Sequence, residues 1–139
     1  MADVHNEETR SYNMSRIKAT DTKPELMVRR FLHSCGFRFK LNDKNLPGKP
    51  DIVLPRYQTV IFINGCFWHG HAHCKYFKIP KTRTVWWQEK ISRNKLNDRK
   101  AIRALRKEGW KVILLWECDL KLAKIDATFF RLLALLTLD

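Results

Sequence analysis

The sequence lacks a long apolar run, a Cys-x-x-Cys pair and an internal repeat. Its apolar runs, such as those at 60–63 and 132–136, fall far short of the roughly 20 residues of a transmembrane helix. Without Cys-x-x-Cys, a thiol redox protein is a weak candidate. The chain starts with a polar, acidic segment that shows no signal-peptide pattern. We therefore expect a cytoplasmic protein with no membrane partner.

Acidic residues are also scarce, and the excess of basic over acidic side chains indicates what kind of molecule the protein binds. The chain has 14 Asp and Glu against 27 Lys and Arg, which gives a net charge of +13. A charge of this size favours a polyanion, and no strongly basic amphipathic helix points to a membrane surface instead. With 139 residues and 45% hydrophobic content, the chain is expected to fold as one globular domain that binds nucleic acid.

Local patterns predict the element order αβββαβα, with a central mixed sheet flanked by helices. A capped helix start at 21–25 precedes an apolar stripe that ends at Gly36. A long helix is predicted at 84–108 with a break near 94–97, and a last helix at 126–138 with Phe130 on its apolar stripe. Strands are predicted at 37–41, 51–54, 59–63 and 111–116.

Two cysteines and three histidines crowd the nine positions from Cys66 to Cys74. Zinc takes four nitrogen or sulfur ligands in a tetrahedron, and Cys66, His71, Cys74 and the distant Cys118 supply such a set. His73 could replace His71, and a single distant cysteine such as Cys118 is often only a core residue. A closed thiolate set predicts a structural zinc site rather than disulfides, which are rare in the cytosol.

The remaining cysteine, Cys35, lies near a helix end among apolar residues. We expect it to be a small buried side chain.

Asp51 follows Pro50 and starts a predicted strand, so its carboxylate could hold Mg²⁺ at a scissile phosphate. From this residue alone, a turn Asp is the simpler interpretation. Glu25 is also ambiguous, since a Glu in the first turn of a helix is favoured by the helix dipole. His69 lies between two candidate zinc ligands, and a fixed imidazole near a metal-bound phosphate could act as a general base.

Large aromatic residues occur in adjacent pairs, at Phe67-Trp68 and Trp86-Trp87. Two neighbouring rings do not easily face the same core, and exposed rings on a basic protein can wedge between base pairs. The polar surroundings of Phe67 and Trp68 favour this function. For Trp86 and Trp87, core packing remains an equal alternative.

These residues together resemble the very-short-patch-repair (Vsr) family of DNA mismatch endonucleases. The resemblance extends over nearly the whole chain and is carried by Arg10-Ser11, Asn13-Met14, Ile17, Asp21-Thr22, Glu25, the segment 46–51, the segment 65–69, the segment 80–84, Trp87, Lys90-Ile91, Gly109-Trp110 and the segment 116–118.

The resemblance implies a restriction-endonuclease-like αβα sandwich that contains a structural zinc site. It also implies a nick in one strand of double-stranded DNA beside the T of a T:G mismatch. On this basis residues 1–20 are expected to form a DNA-contacting arm and residues 21–139 a single endonuclease domain. A monomer is expected that is associated with the nucleoid when it acts, with mismatch-repair proteins as further partners.

The resemblance also implies a role for each site residue. Asp51 and the backbone carbonyl of Ile63 would hold catalytic Mg²⁺, with Glu25 in its hydration shell and His69 as the base. The zinc ligands would be Cys66, His71, Cys74 and Cys118, and the intercalating rings would be Phe67, Trp68 and Trp87.

The chain departs from the family at two points. Some members have a second catalytic histidine where this chain has Asn64, which cannot carry a proton charge and could only hydrogen-bond the phosphate. The loop also has one more residue before Cys74 than the shortest family pattern, which leaves the choice between His71 and His73 open. A non-catalytic, zinc-stabilised DNA-binding module is therefore the alternative function.

Overall fold

The computed structural model describes residues 22–137, so the predicted arm at 1–20 lies outside the described residues. Short 3₁₀ turns follow the second and fourth strands, at Pro55–Tyr57 and Glu117–Leu120. The helices and strands follow the predicted order αβββαβα, as α1 (Lys23–Ser34), β1 (Lys40–Leu41), β2 (Ile52–Leu54), β3 (Thr59–Asn64), α2 (Thr84–Lys107), β4 (Lys111–Trp116) and α3 (Ile125–Thr137).

The start of α1 follows its predicted signals. The hydroxyl of Thr22 accepts a hydrogen bond from the backbone N–H of Glu25 at 3.4 Å, and Pro24 lies in the first turn. Proline fits there because the first N–H groups of a helix have no partner within the helix. This start places Glu25 in the first turn of α1. Gly36, two residues after the last residue of α1, has a φ of +84°.

The sheet is mixed, with strand order β1-β2-β3-β4. β1, β2 and β3 are successively antiparallel, whereas β3 and β4 run parallel from the pair Thr59 and Lys111 to the pair Asn64 and Trp116. A parallel pair needs a long crossover, and α2 provides it. The carboxyl ends of β3 and β4 therefore meet at one edge of the sheet.

Alternating strand residues face two separate cores, which makes the fold an αβα sandwich. One core combines residues of α1 and α3, such as Leu32 and Leu132, with Ile61 and Leu115 of the sheet. The opposite core packs Leu105 of α2 against Val53 and Val60. The predicted fold class is confirmed: helices cover both faces of a mixed sheet.

Four local predictions were wrong. The first strand is limited to Lys40–Leu41, and α2 runs without a break past residues 94–97. Phe130 is 78% exposed, because the buried stripe of α3 passes through Thr128, Leu132 and Leu136 instead. Cys35 is exposed rather than buried, since it follows the last turn of α1.

None of the helices in the described part of the chain is long and apolar enough to cross a membrane.

Gly48 brings the loop before β2 into close contact with α2. Its φ is +73°, and a Cβ atom placed there would lie 2.6 Å from the Cβ of Ala101. We expect Gly48→Ala to lower the free energy of unfolding by about 2–3 kcal/mol, because it adds a clash to the strain of positive φ. Gly36→Ala is the matched control, because Gly36 has a φ of +84° with no atom within 4 Å. The control should cost about 1 kcal/mol. Equal losses in urea unfolding would contradict the close packing.

Candidate functional site

A cavity of about 650 Å³ opens at the carboxyl end of β3. Asp51, Asn64 and His69 line it, together with Glu25 from the start of α1 and Asp98 from α2. Ligands of open α/β sheets characteristically bind beyond the carboxyl ends of the strands. The structure therefore brings all four predicted catalytic side chains to the wall of one cavity.

Asp51 is held by the backbone of the neighbouring strand. Its Oδ2 accepts a hydrogen bond of 2.6 Å from the N–H of Ile63. Burial raises the pKa of the Asp51 carboxyl, whereas this hydrogen bond and electrostatic interactions with His69 and Arg29 act in the opposite direction. The carboxylate is thus fixed in orientation, and a cation in the cavity would favour its ionised form.

Glu25 lies deep in the wall of the cavity, with only 3% of its surface exposed. Nη2 of Arg29, one helical turn along α1, donates to its Oε2 at 3.1 Å. A buried carboxylate needs such a partner to stay ionised, because burial alone disfavours the charge. Arg29 was not predicted as a site residue, although an i,i+4 Glu–Arg pair could be read from the sequence.

His69 is paired with a carboxylate that lies 29 positions further along the chain. Its Nδ1 lies 2.6 Å from Oδ2 of Asp98, and both side chains are partly exposed. With Nδ1 engaged in this way, Nε2 is the ring nitrogen that remains for a reacting water or ligand. This arrangement suits an imidazole that takes up a proton at Nε2 while a carboxylate steadies the ring.

The loop that carries His69 is also fixed by α2 on both sides of the histidine. Nδ2 of Asn94 donates to the carbonyl oxygen of Trp68 at 2.8 Å. Gly70 has a φ of +58°, and a Cβ atom there would lie 2.6 Å from Ile91 and 2.4 Å from Lys95. The backbone therefore packs directly on the helix, which holds the imidazole in place between two contacts.

Cys66, His71, Cys74 and Cys118 form a second constellation, whose ligand atoms all lie within 4.8 Å of one another. Sγ of Cys118 lies 3.4 Å from Nδ1 of His71, and the N–H of Cys118 donates to Sγ of Cys66 at 3.4 Å. In a tetrahedral zinc site with Zn–S bonds of about 2.3 Å, neighbouring sulfurs are about 3.8 Å apart. The group could therefore hold a divalent metal ion, whereas His73 lies outside it.

The protonation of the thiols also fits a metal centre. Burial raises the pKa of Cys66 to about 12, and hydrogen bonds to the other two thiols act in the same direction. Burial likewise raises the pKa of Cys118. The pKa of Cys74 is lowered instead, because hydrogen bonds with the backbone of Tyr76 and with the other two thiols outweigh the effect of burial. Cys66 and Cys118 therefore favour the protonated form without a cation, and metal binding would make thiolates of them.

The ring of His71 stacks on Trp116 at the end of β4, with centroids 3.9 Å apart and planes 6° apart. This contact fixes the imidazole plane within the four-ligand group. It also joins the group to the sheet edge at which the cavity opens.

The predicted intercalating rings form one cluster. Phe67 lies edge-on to Trp68 and to Trp87, with centroid distances of 5.2 Å in both cases, and Trp68 and Trp87 are 5.7 Å apart. Trp68 also lines the cavity. The aromatic cluster is therefore continuous with the wall that contains His69 and Asp51.

Comparison with known proteins identifies the family. The model of the family described as DNA mismatch endonuclease Vsr matches residues 2–76, more than half of the chain. The chain is 48% identical over 121 residues to the DNA mismatch endonuclease Vsr of Escherichia coli K12, covering 87% of this chain and 77% of that protein. The chain belongs to the DNA mismatch endonuclease Vsr family.

Two further relatives are named as nicking enzymes. The type II nicking enzyme V.NmeAIP of Neisseria meningitidis is 50% identical over 121 residues, which cover 87% of this chain and 86% of the relative. The type II nicking enzyme V.XorIIP of Xanthomonas oryzae is 45% identical over 120 residues, covering 86% and 88%. The predicted membership of the Vsr family, a family of DNA endonucleases, is confirmed.

Sequence reasoning missed Asp98 and Asn94 within this Vsr-family site. Asp98 lies seven positions after Ile91 and seven before Leu105, two apolar residues that are buried in the structure. Seven residues are about two helical turns, so Asp98 belongs to the same face. A carboxylate on the inward face of a helix requires a partner, so the position of Asp98 could have marked it as a site residue.

Removal of one thiol tests the four-ligand group. We expect Cys118→Ser to weaken binding of Co²⁺ by more than about 100-fold, because tetrahedral coordination loses one of its sulfur ligands. Titration followed by the absorption of cobalt–thiolate bands measures this affinity. Cys35→Ser is the matched control, because Cys35 is exposed and lies outside the group. Unchanged Co²⁺ affinity in Cys118→Ser would remove Cys118 from the ligand set.

Proposed function

We propose that this chain is an Mg²⁺-dependent DNA mismatch endonuclease that nicks one strand beside the T of a T:G mismatch. The observation that carries the proposal is the position of Trp68, which belongs both to the aromatic cluster and to the cavity wall. A ring that opens the base stack would in this way place the adjacent phosphate at His69 and Asp51. Family membership and the net charge of +13 support DNA as the partner.

Oxygen donors suited to Mg²⁺ surround the cavity. Asp51 and Glu25 offer carboxylates, and hard cations prefer such ligands. The backbone of Ile63 lies beside Asp51, because its N–H donates a hydrogen bond to the carboxylate. The carbonyl of Ile63 would be the second ligand. Asp51 and Ile63 would hold the ion, and Glu25 would order its water shell. When bound, Mg²⁺ would neutralise charge that develops on the phosphate.

His69 is proposed as the general base. Its Nε2 takes a proton from the attacking water, while Asp98 holds Nδ1 and stabilises the imidazolium that results. Asn64 is buried at the cavity wall, and its neutral amide does not act as an acid or a base. Its amide would donate a hydrogen bond to a phosphate oxygen, which positions the substrate without acid–base chemistry.

Phe67, Trp68 and Trp87 are proposed to enter the base stack together. A wobble pair such as T:G unstacks at a lower free-energy cost than a matched pair, so deformation of the DNA itself selects the site. The three rings already contact one another, and little conformational entropy would be lost when they insert.

The group of Cys66, His71, Cys74 and Cys118 is proposed to bind structural Zn²⁺. Three sulfurs and one nitrogen fill a tetrahedron and leave no open position for substrate. The ion would join the loop that carries His69 to the end of β4. Its part is thus to stiffen the site rather than to react.

We further propose that the chain acts as a monomer in the cytoplasm, at the nucleoid, where its duplex substrate is found. Residues 1–20 would contact DNA beside the domain formed by 21–139, and mismatch-repair proteins would be further partners. The charge of the chain and the bacterial origin of its named relatives support this setting.

The proposed activity is tested with end-labelled duplexes that contain each mismatch in turn, incubated with and without Mg²⁺. We expect a nick beside the T of T:G with Mg²⁺ only. Asp51→Asn should lower the nicking rate by about 1000-fold and retain DNA binding, because the ion loses a charged ligand. Asp126→Asn, on the exposed start of α3, is the matched control. If the wild type binds mismatched DNA but nicks none, the chain is instead a zinc-stabilised binding module.

The His69–Asp98 pair is tested by a double-mutant cycle. We expect His69→Ala to lower the nicking rate by about 100- to 10,000-fold, with a smaller loss for Asp98→Asn. The double variant should be no slower than His69→Ala, because Asp98 acts only through the imidazole. Single-turnover rates at saturating enzyme measure all three variants. Additive losses would show that Asp98 acts independently of His69.

A further inference from the structure

Trp86 is more exposed than Phe67, Trp68 and Trp87, the three half-buried rings of the aromatic cluster. It lies in the first turn of α2 with 45% of its surface accessible, and its neighbour Val85 is 66% exposed. Burying large apolar side chains is favourable by roughly 1.5–3 kcal/mol, so an exposed pair next to an aromatic cluster suggests a surface that meets a partner.

The surroundings of Trp86 define the chemistry of that partner. The guanidinium of Arg83 lies over the ring, 5.0 Å from its centroid. Arg83 precedes α2 with a φ of +56°, and this bend turns the chain at the point where α2 begins. An indole beside a guanidinium presents a stacking surface and a positive charge together, the combination that binds a nucleobase and its phosphate.

Trp86 is also continuous with the rings assigned to the base stack. Its ring is perpendicular to that of Trp87, with a centroid distance of 4.7 Å and an interplanar angle of 88°. Trp87 in turn contacts Phe67 and Trp68. Trp86 therefore forms the exposed end of the aromatic cluster, immediately beside the place where DNA would be opened.

We propose that Trp86 is a further nucleobase-binding residue, which stacks on the base face that is exposed at the opened step beside the mismatch while Arg83 contacts the adjoining phosphate. This inference rests on the proposed function, which supplies the opened step. The aromatic cluster would then hold the exposed base face as well as separate the base pairs. Stacking of this kind tolerates any base and adds affinity rather than sequence preference.

Binding measurements without Mg²⁺ test this role apart from nicking. We expect Trp86→Leu to weaken binding of a T:G duplex and of a single-stranded oligonucleotide by about tenfold, and Trp86→Phe to restore most of the affinity. Binding of a fully paired duplex should change by about threefold or less, because no base is available for stacking. Phe130→Leu is the matched control: Phe130 is 78% exposed but lies on α3.

Photochemical cross-linking distinguishes direct contact from support of Trp87. A 5-iodouracil placed beside the mismatch should cross-link to Trp86, and mass spectrometry of the peptides locates the bond. Cross-links only to Trp68 or Trp87, or unchanged affinity of Trp86→Leu for single strands, would overturn the inference.

The two proposals fail in different ways. Wild-type protein that nicks T:G while Trp86→Leu binds normally refutes the role of Trp86 alone. Wild-type protein that nicks nothing, yet binds single strands through Trp86, refutes the nicking proposal alone. Thermal unfolding of each variant shows whether a loss of affinity reflects a loss of fold.

Discussion

One face of α2 holds both loops that form the candidate site, and this packing is the constraint on which the geometry depends. Asn94 and Asp98 bind the loop that carries His69, and Ala101 contacts Gly48 in the loop before Asp51. These positions are separated by three or four residues, so they form a single stripe only if the helix is unbroken. A kink would separate His69 from Asp51, which are supplied by different loops.

The site combines two groups of candidate metal ligands that have opposite chemical character. The thiols of Cys66 and Cys118 favour a soft, tightly held ion, whereas the carboxylates of Asp51 and Glu25 favour a hard ion that keeps its waters. The first group joins a loop to the sheet, and the second faces the cavity. His69 lies between Cys66 and His71 in the sequence, and its side chain lines the cavity. A metal ion bound by the Cys/His group would therefore restrict the position of His69 in the cavity.

Much of the fold could be predicted because its signals are local. The cap at Thr22, the proline at the start of α1 and the apolar runs of β3 and β4 depend on residues only a few positions apart. The predicted break near residues 94–97 is absent from α2. Asn94 and Asp98 bind the neighbouring loop through their side chains, so their backbone groups stay within the helix.

The sequence by itself determined the family, the order of the elements, the candidate metal-binding side chains and the positive charge. Only the tertiary structure decided that Asp98 steadies His69, that Trp68 joins the aromatic cluster to the cavity, and that Trp86 remains exposed at its end. The reason is physical. Helix and strand periods are set by residues that are near neighbours in the sequence. The contact between His69 and Asp98 instead joins residues 29 positions apart, which the α2 crossover brings together across the sheet.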